Sequence, residues 1–179
     1  MKVALEYGYA EGPRVAEDFI VELNQLGHQL VDAELAEVII AHSGGSYLVP
    51  DKNSAEVVML VDVPYYDSHR SFIGKLYKRV VEEGWSKKSI KKFAWNTWYL
   101  LSQPKRSFRM YKAVIDGSFY GLYKKKVIFV RNDRDLFGIV DQDKKEAKQV
   151  GGVVEVLPGT HDHLWEHPEL YIKLVEKYL

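Results

Sequence analysis

Ser43 stands at the end of an apolar run, Val38-Ile39-Ile40-Ala41-His42, and is followed by Gly44 and Gly45. A serine hydroxyl is a weak nucleophile at neutral pH, so it needs a base to take its proton during attack on a carbonyl. It also needs a turn sharp enough to lift it out of the chain, which demands small residues two before and two after it. Ala41 and Gly45 meet that demand. The competing reading is a buried strand with an ordinary glycine-rich turn, because short Gly/Ser motifs recur for purely structural reasons. A base stands near the other end of the chain, where Pro158-Gly159-Thr160 follows the run Val153-Val154-Glu155-Val156-Leu157 and delivers His161. Asp62, Asp133 and Asp135 each lie at or just beyond the end of an apolar run, and any of them could orient that imidazole. Serine, histidine and a carboxylate are the parts of an acyl-transfer site.

Other constellations compete for the same residues. His163 and His167 are spaced to share a helix face, and with His161 or Asp162 they could hold zinc. No HExxH pattern accompanies them, and His161 is better accounted for as a base, so no metal is expected. His42 reads as a packed, hydrogen-bonded side chain beside its strand. His28 and His69 show no partner in the sequence. Without cysteine the chain has neither disulfides nor thiolate-bound metal, and it fits a reducing compartment. No cofactor is expected.

The elements that must position these side chains follow from periodicity. Residues 2–7 read as a first strand and 8–12 as its loop, with Pro13 suited to a first helical turn. Val15, Phe19, Ile20, Leu23 and Leu26 recur at helical spacing until Gly27 ends the run. A short strand is expected over 28–31, while 32–37 is too brief for a full crossover helix. Buried strands are expected over 38–42, 55–63, 126–130 and 153–157. Residues 44–49 read as a short helix broken near Pro50, and 168–179 as a closing helix.

The match to a known family lies in Ala41-His42-Ser43-Gly44-Gly45, in Asn132-Asp133-Arg134-Asp135 and in Pro158-Gly159-Thr160-His161, in the chain order Ser, Asp, His. On these motifs the sequence resembles the α/β-hydrolase superfamily over its first and last thirds. The resemblance implies an α/β fold with a mostly parallel central sheet flanked by helices. Ala41 replaces the commoner glycine, and the N-terminal part is abbreviated. It also implies Asp135 as the acid, at the fourth residue of its turn, leaving Asp133 as a turn carboxylate. Oxyanion donors would be the amide of Gly44, directly after the nucleophile, and that of Tyr9, although Gly8 beside it could be only a turn residue.

From Tyr65 to about Tyr123 the texture changes to aromatic-rich helical patterns carrying Trp85, Trp95 and Trp98. By its position in the resemblance, this stretch is a helical cap inserted into a single domain spanning 1–179. Trp95, Trp98 and Tyr99 are then the candidate walls of an acyl pocket, against the alternative that they pack the cap itself. From Tyr65 to Lys126 there are 15 basic and 4 acidic residues, so from chain totals of 25 and 25 the remainder holds 10 basic and 21 acidic. The implied activity is a serine hydrolase that cleaves a small ester, thioester or amide through an acyl-enzyme on Ser43, its partner a small-molecule acyl substrate. The alternative is a non-catalytic binder on the same scaffold, whose basic cap recognises an acidic partner. No nucleic-acid module, signal segment or membrane span is legible, and a cytoplasmic protein is expected.

Overall fold

Five runs rich in aliphatic and β-branched residues and one polar-apolar pair become strands: β1 (Lys2–Glu6), β2 (Gln29–Leu30), β3 (Val38–His42), β4 (Val57–Val61), β5 (Lys126–Asn132) and β6 (Val153–Leu157). Residues 1–8, 13–65, 98–99, 101–117, 119, 122 and 124–179 are described in the computed structural model of the chain. The strands form one sheet in the order β2-β1-β3-β4-β5-β6, every neighbouring pair parallel. Parallel strands are joined by crossovers that cover both faces of the sheet, which is why β3 and β4 are buried at every position and apolar at all but His42.

Side chains alternate between two cores. Val38, Ile40, Val57, Met59 and Val61 face α1 (Glu17–Gln25) and α5 (Pro168–Tyr178), packing on Phe19, Leu23, Tyr171, Ile172 and Val175. Ile39, Ala41, Val58 and Leu60 face the other way, onto Tyr47, Val63 and Ala147. Ala147 belongs to α3 (Val140–Val150), while α2 (Pro104–Asp116) packs by way of its buried Met110 beside the turn after β3. A one-turn helix, α4 (His163–Glu166), precedes α5 and buries Leu164 and Trp165.

Three elements differ from the sequence expectation. Residues 44–49 do not start an α-helix; Ser43–Tyr47 form a 3₁₀ turn, with the Leu48 amide donating to the Gly45 carbonyl at 2.8 Å. Two glycines carry a helix cost and Pro50 follows closely, so a longer helix has no support. Helix α3 has no counterpart in the sequence reading, because only Asp143 and Ala147 are buried and its apolar period is too weak to register. The edge strand β2 shrinks to two exposed residues beside β1. His28 has partners after all: the chain-terminal ammonium donates to its Nδ1 at 3.1 Å, and its Nε2 lies 2.9 Å from Glu176.

Register decides what meets at the carboxyl end of the sheet. Glu6 pairs with Ala41, His42 with Val61, Val61 with Val130, and Asn132 with Leu157. The residues that follow these strands therefore emerge along one edge, where open parallel sheets hold their ligands. The expected cap at 65–123 falls largely outside the described residues. Among the described residues no helix is long and apolar enough to cross a membrane.

Candidate active site

Ser43 sits immediately after β3 with φ of +52°, a left-handed backbone that a non-glycine residue adopts at a cost of roughly 1–3 kcal/mol. His42 before it is extended, and the 3₁₀ turn begins at Ser43 itself, so the strand reverses within one residue. The turn is pressed against β1. A Cβ placed on Gly45 would meet the Glu6 carbonyl oxygen and lie 2.6 Å from that of Tyr7, so only glycine allows this approach. Asp62 repeats the arrangement one strand over, with φ of +51° directly after β4.

His161 lies in the loop between β6 and α4, 7% exposed. Its Nδ1 donates to Asp135 Oδ1 at 2.8 Å, and the same oxygen accepts the Phe137 amide at 3.0 Å. The other Asp135 oxygen takes a hydrogen bond from Arg131. The Phe137 ring stands 4.7 Å from the imidazole centroid. On the far side, His42 Nε2 donates to the His161 backbone carbonyl at 2.7 Å, and Trp165 packs edge-on against His42 at 5.2 Å. An imidazole whose Nδ1 is committed to a carboxylate keeps Nε2 as its proton acceptor. Burial alone would push the Asp135 carboxyl up, but the His161 charge and hydrogen bond, Arg131 and the Phe137 amide outweigh it and hold it at about 2.

Arg131, which the sequence reading passed over, organises Asp135. Its side chain is 2% exposed. Nε and Nη2 donate to the two oxygens of Asp143 at 2.7 Å each, Nη2 also reaches the Val63 carbonyl at 2.7 Å, and Nη1 bonds Asp135. Tyr65 donates its hydroxyl to Asp143 at 2.7 Å. Gly138 lies so close to this guanidinium that a Cβ there would overlap it. The available signal was a cation directly after the apolar stretch 127–130, four residues before an aspartate.

Asp62 is fully buried. It accepts the Asn132 amide at 2.8 Å and the Asn132 Nδ2 at 2.5 Å, and lies 3.9 Å from Arg131. Asn132 Oδ1 in turn accepts the Tyr171 hydroxyl at 2.7 Å, and that hydroxyl lies 3.1 Å from His163 Nδ1. Burial, reinforced by the Asp135 charge, pushes the Asp62 carboxyl up to about 6 against the pull of His161, His42 and Arg131. Asp133 Oδ1 accepts the Gly159 amide at 2.8 Å, the work of a turn carboxylate. The trio suggested by sequence for zinc is not what assembles. Among the described residues the metal-capable group is His42, Asp62 and His161, whose ligand atoms lie within 4.8 Å of one another, while His163 pairs its ring with His167 at 4.6 Å.

Gly44 is buried as the second residue of the 3₁₀ turn. Trp98 is helical and 63% exposed, and Tyr99, also helical, is half-buried. Tyr9 and Trp95 fall outside the described residues.

No protein-family model and no curated protein matches the chain in sequence. Solved structures do match in shape. The enol-lactonase from Burkholderia xenovorans LB400 superposes with a TM-score of 0.65 at 11% identity, covering 99% of this chain and 90% of that one. A structure from a study of carboxylesterases of the ammonia-oxidizing thaumarchaeon Nitrososphaera gargenis gives 0.60 at 9% identity, over 99% and 89%. The thioesterase domain from the curacin biosynthetic pathway gives 0.59 at 8%, over 97% and 90%.

Proposed function

We propose that this chain, whose fold is that of the α/β-hydrolases, is a serine hydrolase that cleaves a small ester, thioester or amide through an acyl-enzyme on Ser43. The observation that carries the reading is the left-handed Ser43 at the end of a buried central strand. The buried His161–Asp135 pair at the same end of the sheet supports it. In the proposed cycle Ser43 Oγ bonds to the acyl carbon while His161 Nε2 takes its proton, and Asp135 stabilises the imidazolium. The negative charge moves to the carbonyl oxygen, where the Gly44 amide is the proposed donor. Collapse breaks the bond to the leaving group, which takes the proton from His161. Water then attacks the acyl-enzyme with His161 again as base, and the acid and the Ser43 hydroxyl are released.

A fluorophosphonate probe tests this directly. Covalent labelling should map to Ser43, and Ser43→Ala should abolish both labelling and turnover of a short-chain aryl ester, a loss on the order of 10⁴-fold or more, with the fold intact by circular dichroism. Well-folded parent that takes no label would overturn the reading and leave a binding protein on a hydrolase scaffold.

A further inference from the structure

A cavity of about 540 Å³ opens beside the Ser43 turn, lined by Lys105, Arg106 and Arg109 of α2 together with Gln103, Glu6 and Leu48. Its place follows from the register. Glu6 pairs with Ala41, two residues before Ser43, and Leu48 is the residue that caps the 3₁₀ turn Ser43 begins. The Glu6 and Tyr7 carbonyls touch Gly45 in that same turn. The cavity wall and the serine therefore share one short stretch of backbone.

The charges in the wall are unbalanced. Among the described residues, three cations face one carboxylate, and Glu6 lies 4.0 Å from Arg106. Arg106 has a structural task as well, donating to the Tyr7 carbonyl at 2.7 Å. Lys105 and Arg109 are exposed side chains four residues apart on α2, a like-charged spacing that disfavours a helix when nothing lies between the charges. An anion in the cavity would turn that penalty into binding, and the walls would set its distance from the serine.

On the reading of Ser43 given above, we propose that this cavity selects acyl substrates carrying an oxyanion, a carboxylate or a phosphate, a few bonds from the scissile carbonyl. Lys105 and Arg109 supply the attraction, while Arg106 holds the Tyr7 end of the wall. The anion is not consumed; it positions the acyl group and leaves with the acid.

The test compares two esters of equal length, the mono-para-nitrophenyl ester of glutaric acid and para-nitrophenyl valerate. The parent should prefer the carboxylate ester by about tenfold or more in kcat/KM, with the preference shrinking as salt is raised. The double variant Lys105→Gln/Arg109→Gln should lose that preference, while Lys148→Gln, an exposed cation on α3, should keep it. No preference in the parent, or a preference that survives the double variant, overturns the proposal. If neither ester is turned over, the Ser43 reading fails, and calorimetric titration with glutarate and with inorganic phosphate decides the site by itself. Binding that the double variant loses supports it and shows which oxyanion it takes; no binding to the parent overturns it.

Discussion

The turn after β3 and the loops after β5 and β6 meet at the same end of the sheet, yet they are built by different physics. Ser43 is held by shape: a fully buried strand behind it, a left-handed residue at the reversal, and a glycine pressed onto two backbone carbonyls. Asp135 and His161 are held by charge, in a buried network where Arg131 spans two carboxylates and a carbonyl and Asp62 takes two donors from Asn132. Steric constraint needs only small residues at the right spacing. A buried charge is costly unless every member finds its partners, so the second region stands or falls as a unit.

On the proposed function, the largest effect should come from Asp135. Asp135→Asn removes the carboxylate that selects the His161 tautomer, and acylation should fall on the order of 10³- to 10⁴-fold. Asp133→Asn, at a half-exposed turn position, should cost little beyond local stability. Comparing Asp135→Asn, Asp133→Asn and Asp62→Asn on one ester measures this. If Asp62→Asn proves the most damaging, the orienting carboxylate is the one after β4 and the assignment moves.

Arg131→Met probes the network as a unit. It strands Asp143 without its bidentate partner and strips Asp135 of one donor, which should cost about 3–5 kcal/mol in urea unfolding. Adding Asp143→Leu should return much of that stability without restoring the acylation rate, because Asp135 still lacks its anchor. A double variant as unstable as the single would mean that packing, not charge pairing, holds α3 to β5.

Gly45→Ala asks the matching question of the other region. The added methyl meets carbonyl oxygens of Glu6 and Tyr7, which cannot rotate away as a side chain would. Overpacking of this kind typically costs about 1–3 kcal/mol. The loss should be insensitive to pH and salt, in contrast to Arg131→Met. A loss that varies steeply with pH would blur the distinction between the two regions.

This difference also explains what the sequence disclosed. Apolar runs with small or turn residues at their ends marked β3, β4, β5 and β6 and pointed to Ser43 and His161; for β3, β4 and β5 burial on both faces of a parallel sheet leaves a continuous hydrophobic signature, while the edge strand β6 is half-exposed and was marked by its aliphatic residues. Helix α3 was illegible because it attaches through Asp143 and Ala147 rather than an apolar stripe. Arg131 and Asp143 lie 12 residues apart and look like ordinary surface charges until the fold buries them. His42 read correctly as a packed residue, but its bond to the His161 carbonyl spans 119 positions, beyond the reach of any local pattern.

The effect that separates the two buried carboxylates lies in the pH dependence of stability. Asp135 is held at about 2, below its ordinary 3.8, so its contribution is present above about pH 4 and is lost as pH falls toward 2. Asp62 has the opposite sign. With its folded value at about 6, the folded chain keeps a proton that the unfolded chain has released, so stability declines as pH rises from about 4 to about 6 and then levels off. The decline should be on the order of 1.4 kcal/mol per unit of displacement. Asp62→Asn removes the titration. The amide offers one acceptor to the two donors of Asn132, and that deficit shifts stability by the same amount at every pH without adding slope. Urea midpoints of parent and variant, measured in steps across pH 4 to 6, should therefore converge or cross as the parent weakens. A difference between them that stays constant across that window would show that Asp62 carries its charge in the fold, and that the donors of Asn132, together with Arg131 and the two histidines, outweigh its burial.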